Sequence, residues 1–173
     1  GLSADTVENA FRFIHLNGAH IPYVIGKDGH ENPVGSTLDD QSIGSIAIVD
    51  EYLRQMKKLG VYDDATIIVT ADHGDWYLTS DELRGPTTPV LLVKPAESNE
   101  EAAAPLKVSM VPTGHLDYAA TLVDAVGGDS SAYGPTVFEV QEGPRLRYYW
   151  MTTSSGYDDQ ELKEYVIDGS VLD

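Results

Sequence analysis

Between Leu38 and Leu59 the apolar residues Ile43, Ile46, Ala47, Leu53, Met56 and Leu59 recur mostly at three- and four-residue steps. Asp50, Glu51, Arg54, Lys57 and Lys58 fall on other faces. That period predicts an amphipathic helix. Its ends are also written in the chain. Thr37 suits an N-cap, Asp39 and Asp40 suit the positive first turn, and Lys57 and Lys58 suit the last one. Gly60 stands where a left-handed C-terminal residue belongs. The turn formers Asp63 and Asp64 then lead into Thr66–Thr70, a β-branched run that predicts a short buried strand. "TTPVLLVKP" predicts another at 90–93. From His115 to Val126, Leu116, Ala119, Ala120, Leu122 and Val123 mark a second helix, stopped by Gly127 and Gly128.

Other stretches carry weaker patterns. Ser3 or Asp5 could cap a short helix leading into "AFRFIHLNG". There Phe11, Phe13 and His15 alternate with Arg12, Ile14 and Leu16, which predicts a strand with His15 turned into the core. Residues 24–36, rich in glycine and charge, read as a surface excursion that leaves His30 solvated. "RLRYYWM" and "EYVIDGSVLD" read as later strands, the second forming a small hairpin around Asp168 and Gly169. Strands alternating with helices indicate an α/β layered domain, its sheet mainly parallel and flanked by helices. Residues 1–173 show no internal repeat or clear boundary and read as a single domain.

Composition narrows the partners. The 173 residues suffice for one domain with a core, and the 42% apolar and 23% charged fractions are ordinary. The net charge of −17 is not. It argues against nucleic acid or an anionic membrane surface as the main partner. Around a metal site, it suggests that the cation supplies the positive potential an anionic substrate needs. The absence of cysteine excludes disulfides and thiolate ligands. No apolar run approaches the ~20 residues of a membrane span. A chain opening on Gly1 rather than Met is expected to be a soluble piece of something larger.

The candidate chemistry centres on "TADHGDW". Asp72 and His73 fall just past the C-terminal end of a predicted strand, where open α/β sheets build their sites. A carboxylate beside an imidazole can supply two ligands to one divalent cation. The same residues can instead make a plain turn, with Asp72 starting it, His73 half-exposed and Gly74 supplying a positive φ. Asp75 and Trp76 could rim a pocket there. Two further histidines stand in suggestive places: His20 in "NGAHIPY", which can also be a plain loop residue stacked on Tyr23, and His115 at the start of the second helix, near Asp117, which can also simply hydrogen-bond locally there.

Taken in order, "FIHLNGAHIPY", "DDATIIVTADHGD", "TPVLLVKP" and "GHLDYAATLVDAVG" resemble the C-terminal half of the alkaline phosphatase-like superfamily. The branch they are most similar to is the sulfatase and lipoteichoic-acid-synthase-like group of bacterial membrane phosphotransferases. The resemblance covers most of residues 10–128 and weakens after about 130. It implies that Asp72 and His73 are metal ligands, that His20 is a substrate-side catalytic histidine, and that His115 lies at the periphery of substrate or metal. It also implies that His20, Asp72 and His73 converge at the C-terminal edge of one sheet. The substrate would be a phosphate or sulfate ester, and the cofactor a divalent cation such as Mn, Zn, Mg or Ca. The parent would be an extracytoplasmic, membrane-anchored bacterial enzyme.

This chain departs from the family's pattern at the nucleophile. There is no cysteine, and no Ser-x-Pro-x-Arg pattern. The acidic "LDD" at 38–40 opens a helix instead of ending a buried strand. The nucleophile and further acidic ligands are therefore expected from an N-terminal remainder of the same domain. A cation should bind this fragment weakly, and the fragment alone should be inactive. The rival readings are a degenerate, non-catalytic sulfatase-like module and a cytosolic metal-dependent phosphomutase of the same superfamily.

Overall fold

The computed structural model describes residues 2–4, 10–75, 85, 87–96, 105–152 and 161–169. They fall into two compact units, one formed by residues 1–65 with 95–103, the other by 66–94 with 104–173.

The first unit is built on helix α1, Leu38–Leu59, with both ends where its sequence places them. Thr37 Oγ1 accepts the Asp40 N–H at 3.1 Å, a cap typically worth about 1 kcal/mol. Gly60, at φ 71°, donates its N–H to the Lys57 carbonyl and closes the other end. The inward side of α1 is not a plain apolar stripe. Its buried residues are Gln41 and Gly44, whereas Ile43 and Ile46 are about half exposed. The reason is the approach of the 24–36 segment, which folds as a turn-rich excursion. It is closed by a bridge between Ile25 and Glu31 and by the Gly26 N–H bonded to the His30 carbonyl at 2.8 Å. A Cβ on Gly44 would lie 2.1 Å from the Gly26 carbonyl oxygen, so only glycine lets that segment lie against the helix.

Residues 10–17 form no strand, in contrast to the expectation from their alternation. Phe13 is 81% exposed, and His15 is exposed rather than turned into a core. A strand exists only where a neighbour completes its hydrogen-bond ladder, and no described strand pairs with this segment. The helix expected after Ser3 or Asp5 falls on residues outside those described.

The second unit contains β1 (Ile67–Thr70) and β2 (Leu91–Lys94), antiparallel, with Ile67 opposite Lys94 and Thr70 opposite Leu91. Helix α2, His115–Ala125, follows, then a short 3-10 turn at Ser131–Tyr133. Strands β3 (Arg145–Thr152) and β4 (Leu162–Gly169) form a second antiparallel ribbon. Asp168 and Gly169 sit opposite Leu146 and Arg145 in its ladder, and the second arm of the small hairpin expected around them, residues 170–173, lies outside the described residues. Both described pairings are antiparallel, and the mainly parallel layer expected from the strand–helix alternation is not among them.

The buried groups of this unit cluster about α2. Ala120, Thr121, Pro112, Thr136 and Val140 are buried, with Asp117. The Thr121 hydroxyl donates to the Asp117 carbonyl at 2.6 Å and accepts the Val137 N–H at 2.9 Å. A single side chain thus ties the helix to the following turn. No helix among the described residues is long and apolar enough to cross a membrane.

Candidate functional site

The exit of β1 is fastened to the first turn of α2. Thr70 Oγ1 donates to the Val90 carbonyl at 2.9 Å, and the Tyr118 hydroxyl lies 3.4 Å from Thr70 Oγ1. One residue further, the Ala71 carbonyl accepts a hydrogen bond from His115 Nε2 at 3.1 Å. His115 and Tyr118 are three apart on the helix, which places them on one face, and their rings meet edge to face at 5.1 Å. His115 was open to a purely local role at a helix start. Instead it bonds a carbonyl 44 residues away, directly before Asp72.

Asp72 and His73 follow on this anchored backbone. The Asp72 side chain is 90% exposed and that of His73 41% exposed, with His73 Nε2 3.8 Å from Asp72 Oδ2. His73 Nδ1 lies 2.5 Å from the Gly74 carbonyl oxygen. A carbonyl only accepts, so Nδ1 carries a proton, and in the neutral form of the ring the lone pair lies on Nε2, on the side of the carboxylate. This is the tautomer that a metal-ligating histidine needs when its other nitrogen is held by the main chain. Gly74 does not supply a positive φ. It supplies room, because a Cβ there would lie 2.0 Å from the Gly85 carbonyl oxygen and 2.9 Å from that of Thr88. Asp75 is half-buried, and Trp76 lies outside the described residues.

Asp117 is committed elsewhere. Its carboxylate is 1% exposed, accepts the Gly114 N–H at 2.8 Å, and takes two 2.7 Å hydrogen bonds from Arg145. Arg145 also donates to the Pro112 carbonyl at 3.2 Å. The Asp117 hydrogen bonds push the Arg145 guanidinium's pKa up, against the opposing pull of partial burial. This pair fixes the start of α2, and with it His115. Arg145 carries no sequence signal for the role, because a 28-residue separation has no local period.

His20 belongs to the first unit. Its ring is exposed, with Nδ1 2.5 Å from the Ile21 carbonyl oxygen, and the Ile21–Pro22 peptide is cis. The main chain around it is held by Gln41, a buried residue that the helical pattern did not single out. Gln41 Nε2 donates to the carbonyls of Gly18 and His20 at 3.0 and 2.5 Å. Its Oε1 accepts the N–H groups of Val24 and Ile25 at 2.7 and 3.1 Å. One amide thus braces the whole His20 loop.

The donor set at the β1 exit fits part of a metal site. Asp72 offers a hard carboxylate and His73 an imidazole lone pair. Among the described residues, however, no group of three or more His, Cys, Asp or Glu is placed to hold a metal ion. A hard divalent cation takes about six donors and tetrahedral zinc four, so two side chains leave most positions to water or to other segments. No family model matches the chain, and no curated protein or solved structure matches it.

Proposed function

We propose that the chain is part of a sulfatase-like, metal-dependent hydrolase or phosphotransferase acting on phosphate or sulfate esters. The observation that carries this reading is the Asp72–His73 turn at the exit of β1. There the carboxylate is open to solvent, the imidazole is oriented by the Gly74 carbonyl, and the backbone before both is anchored by His115. Asp72 and His73 Nε2 would hold a divalent cation of the Mn, Zn, Mg or Ca class. When bound, that cation would polarise the ester oxygen and offset charge on the transferring group. His20, with its ring exposed on a braced loop, is the candidate to donate a proton to the leaving group or a hydrogen bond to the anion. The nucleophile and the missing ligands would come from the N-terminal remainder of the domain, in an extracytoplasmic, membrane-anchored bacterial parent whose layered sheet is mainly parallel.

Titration of the chain with Mn(II), followed by electron paramagnetic resonance, tests the metal half of this reading. Weak binding that disappears in both Asp72→Ala and His73→Ala supports it. Binding unchanged by either substitution removes the site. The competing reading is a non-catalytic sulfatase-like module. It predicts no binding at all.

A further inference from the structure

The β3–β4 ribbon has two unlike faces. One carries Arg147, Tyr149, Met151, Tyr165 and Ile167, all half-buried. The other is exposed, and its ladder sets Leu146 opposite Asp168, Tyr148 opposite Val166 and Trp150 opposite Glu164. Tyr148 and Trp150 are each about half exposed, 49% and 50%, and their rings lie nearly parallel, 6.0 Å apart and 20° from coplanar. The Trp150 indole N–H donates to Glu164 Oε2 at 3.0 Å, which holds a carboxylate at the margin of the aromatic pair. The charged side chains on this face, Glu164 and Asp168, are both acidic, while Arg145, Arg147 and Lys163 alternate to the other face.

We propose that this face binds a cationic peptide segment, its arginine or lysine side chains laid over Tyr148 and Trp150 and paired with Glu164 and Asp168. Electron-rich ring faces attract guanidinium and ammonium groups, and the planar guanidinium also stacks on them. Carboxylates at the margin of the rings add charge complementarity, which gives the contact its sign preference. The net charge of −17 acts in the same direction by repelling polyanions from the surface. This inference is independent of the metal chemistry at Asp72 and His73.

Fluorescence anisotropy of a labelled hexa-arginine peptide, titrated with the full chain at low and at physiological salt, tests the proposal. A bare acidic surface would also attract that peptide, so the deciding variants are Tyr148→Ala and Trp150→Ala, which leave the net charge at −17. The expected result is at least tenfold weaker binding in Trp150→Ala, with unchanged far-ultraviolet dichroism. Glu164→Gln, which keeps both rings, should weaken binding severalfold. Full affinity in the folded aromatic variants would show diffuse charge attraction and overturn the proposal. So would preference for a neutral oligosaccharide such as cellohexaose over the peptide.

Discussion

Arg145 grips the carboxylate of Asp117 through two parallel hydrogen bonds of 2.7 Å, joining the first residue of β3 to the first turn of α2. Asp117 is almost completely buried and also caps the helix through the Gly114 N–H. Removing one partner of such a pair is costly because the other charge stays buried alone, typically by about 3–5 kcal/mol. Arg145 is 30% exposed, so water can partly reach the vacated position. Arg145→Ala is therefore expected near the lower end of that range in chemical denaturation. The double variant Arg145→Ala, Asp117→Ala should be less destabilised than the sum of the single changes. Strict additivity would mean that the bidentate contact contributes no coupling.

Two glycines predict opposite kinds of damage. Gly60 sits at φ 71° with nothing within 4 Å of a built Cβ, so alanine there meets only backbone strain. Gly60→Ala should cost about 1 kcal/mol and leave α1 intact. Gly74 has no such conformational demand but faces the Gly85 carbonyl at 2.0 Å from a built Cβ. Its neighbour across the gap is backbone and cannot rotate away. Gly74→Ala should therefore displace the Asp72–His73 turn, seen as large amide shift changes at 71–75 that Gly60→Ala does not produce.

The features that a linear reading could find are those whose causes are local. Thr37 and Gly60 mark the ends of α1 because capping involves residues within one turn. β1, β2 and α2 follow for the same reason, since apolar runs and periods are visible within a dozen residues. Residues 10–17 show the limit. Their alternation is compatible with a strand, but pairing is a non-local condition that the pattern does not contain. The same holds at the candidate site. Asp72, His73 and His115 were legible as residue types in a suggestive order. The His115–Ala71 bond, the Gly85 contact that demands Gly74, and the four hydrogen bonds between Gln41 and the main chain of the His20 loop join distant segments. No spacing announces them.

Acid pH should loosen the start of α1 in a defined direction. The Lys27 ammonium, 3.3 Å from Asp40 Oδ1, holds the Asp40 carboxyl below its ordinary range. Desolvation opposes this, and hydrogen bonds from Thr37 add to it. A carboxyl whose folded pKa is depressed contributes stability that is present above its unfolded value, about 3.9. That contribution is lost as pH falls through the folded pKa. An NMR titration should place the Asp40 midpoint below that of a free aspartate, and Lys27→Ala should move it upward. An unchanged midpoint in the variant would assign the depression to the helix start alone.

The final prediction is that the chain, although folded, does not hydrolyse aryl phosphate or aryl sulfate esters. Chemistry through a covalent intermediate needs a hydroxyl poised against the cation and free to lose its proton to a base. Threonines of this unit are already engaged, including Thr88 beside Gly74, whose hydroxyl donates to the Gly85 carbonyl at 3.2 Å. Thr70 ends β1, but its hydroxyl donates to the Val90 carbonyl. Thr121 lies buried within α2, where it donates to the Asp117 carbonyl and accepts the Val137 N–H. Thr79 and Ser80 lie outside the described residues. A positioned acid–base histidine without a nucleophile contributes a factor of only ~10²–10⁴, and loss of the nucleophile from a concerted site removes most of its advantage. Incubation with chromogenic esters across a panel of Mn, Zn, Mg and Ca should therefore give rates at the protein-free baseline. Metal-dependent turnover that vanishes in His73→Ala would show that the chain carries its own nucleophile and that the site is complete without an N-terminal remainder.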